Sequence, residues 1–185
     1  MYYKCIPKIG GNTMKKNFCL ISSFLLVFLI ITEFFPNYAD AYYTGRTPSS
    51  STIQYKFGSI EEKYKTTWRS AVNTWNNDQN RNTFSYNANA TNILSIELDR
   101  TRPNLFGRLV YRGASNRTTP FTSYLNTERS DIRNSSTVRR STASHEMGHA
   151  LGLDHNSQHS IMNSSRNRTS LFSATALDKR NVNNR

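Results

Sequence analysis

Eleven consecutive residues constrain this chain more than anything else in it. They are His145-Glu146-Met147-Gly148-His149-Ala150-Leu151-Gly152-Leu153-Asp154-His155, the pattern HExxHxxGxxH. The 185 residues contain 4 histidines, and His145, His149 and His155 fall at metal-ligand spacing. Five fixed positions match at once, and a chance match in a chain of this length is on the order of 10⁻⁴. A methionine, Met162, follows in Ser160-Ile161-Met162-Asn163.

Helical geometry gives the pattern its meaning. Positions i and i+4 share a helix face, so His145 and His149 can aim two imidazoles at one ion. Glu146 lies about 100° round the helix and can reach a water beside the ion without ligating it. Gly152 can take the left-handed conformation that ends the helix sharply. The turn then returns His155 as a third ligand. Three protein ligands leave a fourth position for water, the arrangement of a catalytic zinc site rather than a closed structural one. Zinc would bring that water toward a pKa of about 7, within reach of Glu146 as general base. Asp154 and His159 are candidates for the shell around the ligands, through a hydrogen bond to an imidazole or an effect on its charge.

The amino-terminal part reads as a targeting segment. Met14-Lys15-Lys16-Asn17 is basic, Phe18 to Ile31 is apolar, and Ala39-Asp40-Ala41 is a small-x-small cleavage signal. Residues 14–41 are therefore expected to be a signal peptide. Residues 1–13 read as an upstream extension or a misassigned start. The apolar run is short for a span, which needs about 20 residues. Cleavage after Ala41 would leave Tyr42–Arg185, 144 residues with neither Cys5 nor Cys19. An exported domain of this size must then be stabilised by packing and bound ions, without cross-links.

The net charge is +12 for the whole chain and +10 after the expected cleavage. No basic-aromatic motif of a nucleic-acid module accompanies it, so nucleic acid is not expected as a partner. Anionic cell-wall or surface polymers suit an exported cation better. No EF-hand-type acidic loop is visible, and the sequence leaves structural Ca²⁺ open.

Alternation in 52–57 predicts a strand. Ser59, Glu61 and Glu62 predict a helix start, and Ile60, Tyr64, Trp68, Ala71, Val72 and Trp75 continue at helical spacing to Asn76. The Trp68/Trp75 stripe reads as core. Four further strands are expected at 83–86, 93–98, 108–111 and 122–126. Ser135 or Ser136 should cap the helix that ends at Gly152, and 174–183 reads as a last helix. The expected fold class is α+β, a mixed α/β layer in which one helix delivers the chemistry. Leu109 to Tyr111 is a candidate edge strand that could pair with an extended substrate.

Taken together, His145, Glu146, His149, Gly152, His155 and Met162 resemble the metzincin zinc endopeptidases, in particular the matrixin-like secreted enzymes of bacteria. The specific match covers only His145 to Met162. The resemblance implies a twisted five-stranded mixed sheet over helices. It also implies a Met-turn at Met162, which forms an apolar floor under the zinc without binding it, and a carboxy-terminal helix. One related group takes Asp as third ligand, but Asp154 stands one place too early, so His155 keeps the role. Several features depart from the better-known members. His159 alone is left over for the second, structural zinc of animal matrixins. No prodomain cysteine survives cleavage to hold the enzyme latent. Ser164 stands where some members carry a Tyr, and Asn156 follows the third ligand.

The sequence thus leads to a secreted, monomeric zinc endopeptidase acting on protein or peptide substrates, with one catalytic Zn²⁺. Two rivals belong to other classes. One is a non-catalytic zinc-bearing module that binds the cell wall through its charge; the other is a zinc amidase acting on wall peptides. Glu146 speaks against the first, since binding alone needs no base there.

Overall fold

The computed structural model describes residues 44–46, 48, 50–113 and 120–185. All of them belong to the unit Ala41–Arg185. The expected extension and leader, 1–13 and 14–41, lie outside the described residues.

Five strands form one mixed sheet: β1 (Thr52–Phe57), β2 (Thr83–Tyr86), β3 (Asn92–Glu97), β4 (Gly107–Tyr111) and β5 (Phe121–Asn126). Their spatial order is β2-β1-β3-β5-β4. β1 runs parallel to β2 and β3, and β3 runs parallel to β5. β4 alone is antiparallel, pairing Leu109 with Ser123 and Gly107 with Leu125. The predicted α+β class is therefore observed, and Leu109 to Tyr111 do lie on an edge strand. Alternation in β1 buries Ile53 and Tyr55. The inner strand β5 is buried at five of its six positions, as expected of a strand with neighbours on both sides.

Four helices complete the described fold: α1 (Glu62–Asp78), α2 (Ser130–Asn134), α3 (Ser136–Ala150) and α4 (Ala176–Asn183). The apolar stripe of α1 places Tyr64, Trp68, Val72 and Trp75 in the core. Each tryptophan also uses its polar edge, because a buried indole N–H needs an acceptor. Trp68 Nε1 donates to Ser95 O on β3 at 3.2 Å, and Trp75 Nε1 to Ser144 O on α3 at 2.9 Å. The long helix is thereby clamped between the sheet and α3.

Three expectations are corrected. Ser59 does not cap α1; it is exposed, and the helix begins at Glu62 behind an extended Glu61. Ile60 packs on the core and draws the lead-in along the domain instead, leaving Glu61 O to accept the amides of Tyr64 and Lys65. Leu98 lies outside β3 and is exposed. The short helix α2 has no counterpart among the predicted elements; its five residues carry only one buried apolar side chain, Ile132, too few to show a period.

α3 is a buried helix with a polar sequence. Ser141, Thr142, Ser144, His145 and Glu146 are all buried beside Ala143 and Met147. Buried hydroxyls need partners, and these have them. Thr142 Oγ1 donates to Val138 O, and Ser144 Oγ to Phe172 O. Ser135 caps the helix as predicted, its Oγ accepting from Val138 N at 3.3 Å.

Candidate metal centre

Helix α3 carries His145 and His149 one turn apart and ends in a Schellman turn. Gly152 N donates to His149 O at 2.9 Å, and Leu153 N donates to Gly148 O at 3.1 Å. Gly152 has φ +85°, open to a glycine at little strain. A Cβ there would also lie 2.5 Å from Arg46 O. The chain leaves the helix at once and brings His155 back. One nitrogen from each of His145, His149 and His155 falls in a group within 4.8 Å of one another. His145 is buried, His149 half-buried and His155 exposed.

Two of the three imidazoles are held by backbone carbonyls. His145 Nδ1 lies 2.7 Å from Ile161 O, and His149 Nδ1 lies 2.8 Å from Leu153 O. A carbonyl only accepts, so both Nδ1 atoms carry the proton and both Nε2 atoms present a lone pair. Arg166 Nη1 also approaches His145 Nδ1, at 3.1 Å, but a guanidinium has no acceptor to offer and donates instead to Asn163 O at 3.0 Å. His145 Nε2 faces His155 Nε2 at 3.1 Å. Ligand nitrogens about 2.1 Å from one tetrahedral ion stand about 3.4 Å apart, so the donor set fits a divalent metal such as zinc. Burial pushes the His145 pKa well below its usual value, with the neighbouring His149 adding to the effect. It brings His149 down to about 4. Both are neutral near pH 7, the form a metal binds.

Glu146 is buried next to this group. Its carboxylate accepts no hydrogen bond from the described residues and lines a cavity of about 570 Å³ together with His145, His149 and His155. Burial raises its pKa to about 8, against the opposing pull of Arg166 and Arg168. The edge strand β4 forms another wall through Arg108, Leu109 and Tyr111. Tyr111 ties the strand to the helix end by donating to His149 O at 3.1 Å.

Met162 is buried, as the Met-turn reading expects, and packs against α3 at Gly148. A Cβ at 148 would overlap the Met162 sulfur and come within 3.1 Å of Trp75 Cζ2. The glycine between the two ligand histidines therefore makes room for the methionine. Asp154 accepts the His155 amide at 2.7 Å; it supports the third ligand through the backbone, not through an imidazole N–H. His159 is exposed and hydrogen-bonds to no ligand histidine.

Two residues behind the site gave no sign of that place in the sequence. Asp178 is fully buried, and its carboxylate accepts from Ser160 Oγ, from Ile161 N at 2.9 Å and from Thr175 N at 2.8 Å. The same carboxylate closes the capping box that starts α4. Arg166 is buried beneath His145 and binds Ser141 Oγ at 3.0 Å and Ser141 O at 2.9 Å. The Thr175-x-x-Asp178 spacing marks a helix start, but nothing local points Asp178 or Arg166 toward the histidines. No family model and no curated protein matches this chain. The mixed sheet with its histidine triad is compatible with the metzincin-like fold that the motif suggests. No helix among the described residues is long and apolar enough to cross a membrane.

Proposed function

We propose that the domain is a secreted, metzincin-like zinc endopeptidase of the matrixin-related kind. The observation that carries this reading is the placing of the unpartnered Glu146 carboxyl in one cavity with three converging histidines. His145, His149 and His155 would hold the zinc, the first two through Nε2. Bound zinc supplies Lewis acidity, polarising a peptide carbonyl and making water easier to deprotonate.

Glu146 does the proton work. A carboxyl pinned by hydrogen bonds could not take a proton from water and hand it on; this one is unencumbered. Its raised pKa lets it hold that proton at neutral pH before the leaving amine collects it. A dication among the histidines favours the ionised form needed to begin, and the nearby Arg166 and Arg168 act in the same direction. The outer edge of β4 offers free backbone groups along the cavity wall, suited to aligning an extended peptide.

The test is a casein or peptide-library digest by the wild type, by Glu146→Ala and by wild type with chelator. Cleavage by the untreated wild type alone is expected, with zinc still bound in Glu146→Ala. Equal activity in Glu146→Ala would remove the base. A folded, zinc-loaded wild type that cuts nothing would favour the wall-binding module instead.

A further inference from the structure

Among the described arginines of the cavity wall, Arg168 is the one with the fewest engaged donors. It lines the same cavity as Glu146 and is half-buried. Its guanidinium lies 4.0 Å above the ring of Phe106, another lining residue. Of its N–H groups only one is engaged, through Nη2 to Ser164 O at 2.9 Å. Nε is buried without a partner, although a guanidinium has five N–H bonds to place.

The surrounding cations are already committed. Arg108 grips Glu97 through two nitrogens, and Arg129, on Phe106 at 3.7 Å, pairs with Asp131 at 2.8 Å. Arg166 places a donor from each of its three nitrogens, two on Ser141 and one on Asn163. No carboxylate among the described residues lies within 4.0 Å of Arg168. Glu146 is the only acid among the described residues lining the cavity, and in the peptidase reading it is occupied as the base. Burial, with Arg129 adding to it, pushes the Arg168 pKa down. An arriving anion would relieve both effects.

We infer that Arg168, braced on Phe106, forms a subsite for an acidic substrate side chain, a Glu or Asp flanking the scissile bond. The carboxylate would take the free fork of Arg168, whose planar geometry matches it. The Phe106 ring, already covered by the Arg129 and Arg168 guanidinium groups, would hold Arg168 in place rather than touch the substrate. Arg168 then sets specificity for the reaction proposed above. The inference rests on that reading, but it can be tested without turnover.

Paired fluorescent peptides differing only in Glu or Gln, on either side of the intended scissile bond, are titrated into zinc-loaded Glu146→Ala protein. At one of the two positions the Glu peptide should bind about tenfold more tightly at low salt, the size of one charge-assisted pair. Arg168→Ala in the same background should abolish the preference, and Arg168→Lys should keep part of it. Salt should erode it where Arg168 is intact. Equal binding of Glu and Gln peptides at both positions would overturn the subsite. So would an unchanged preference in folded Arg168→Ala. A preference that persists while the wild type cleaves nothing would support the subsite and count against the peptidase.

Discussion

Asp178 accepts the backbone amide of Ile161 at 2.9 Å, while the carbonyl of that same Ile161 holds His145 Nδ1 at 2.7 Å. A buried acid on the last helix is thus two hydrogen bonds from His145, the first histidine of the candidate metal group. Asp178→Asn keeps the shape but converts one of the two acceptor oxygens into an NH2 group, which must then face either the donating Ser160 hydroxyl or the N–H groups of Ile161 and Thr175. We predict a loss of about 2–3 kcal/mol in urea unfolding, since buried donors lose their acceptor. Zinc affinity, measured by chelator competition, should fall about 10-fold or more, because the partner that aims His145 is loosened. Unchanged affinity in a destabilised variant would show that Asp178 serves the fold alone.

Gly148 is the next point of leverage. A methyl group there collides with the Met162 sulfur and presses on Trp75. Overpacking of this kind costs about 1–3 kcal/mol and alanine's better helix propensity returns up to about 1 kcal/mol, so Gly148→Ala should be less stable in thermal unfolding by up to about 2 kcal/mol. Met162→Ala empties a buried position at its own cost of about 2–5 kcal/mol, but in the same chain as Gly148→Ala the two losses should be less than additive, because the clash is gone. Additive losses in the double variant would place the strain elsewhere.

How much of this was legible beforehand follows from the physics of each part. His145, Glu146, His149, Gly152 and His155 are readable because a helix turn and a left-handed exit fix their spacing within eleven residues. The strands and α1 are readable from their periods, and the edge position of β4 fits the strand order. Asp178, Arg166 and Arg168 are not, since each reaches the site only after the chain has turned back past Met162. The contacts that bring them to the site reach Ser160, Ile161, Ser141 and the Phe106 ring, far off in sequence, and no local pattern records such contacts. The Ser59 cap fails for a related reason. Capping is worth about 1 kcal/mol, and packing Ile60 on the core can outweigh it.

Trp75 gives a test of how firmly α1 holds α3, the helix that carries His145 and His149. Its indole N–H donates to Ser144 O, one residue before His145. Trp75→Phe keeps most of the buried ring but loses the donor. A cost of about 1–2 kcal/mol is expected in chemical denaturation, well short of the about 3–5 kcal/mol for emptying the site with alanine. Near-equal losses in the two variants would mean that the hydrogen bond, not the ring, carries the contact.

The metal-free domain should have a pH optimum written by its own site. Burial holds His149 down at about 4 in the folded state, from 6.5, and holds Glu146 up at about 8, from 4.5. For the histidine, the unfolded chain takes the proton first, so its stability contribution is intact above pH 6.5 and lost as pH falls toward 4. His145 acts in the same direction. For Glu146 the unfolded chain releases the proton first, so stability is intact below 4.5 and lost as pH rises toward 8. Between 4.5 and 6.5 the two histidines outweigh the one carboxyl, and above 6.5 the carboxyl acts alone. Thermal unfolding in chelator should therefore show a maximum near pH 6.5, with a fall on each side. In Glu146→Gln the alkaline fall up to pH 8 should disappear while the acid limb remains. An alkaline limb that survives the substitution would assign it to another group and remove the argument that burial raises Glu146.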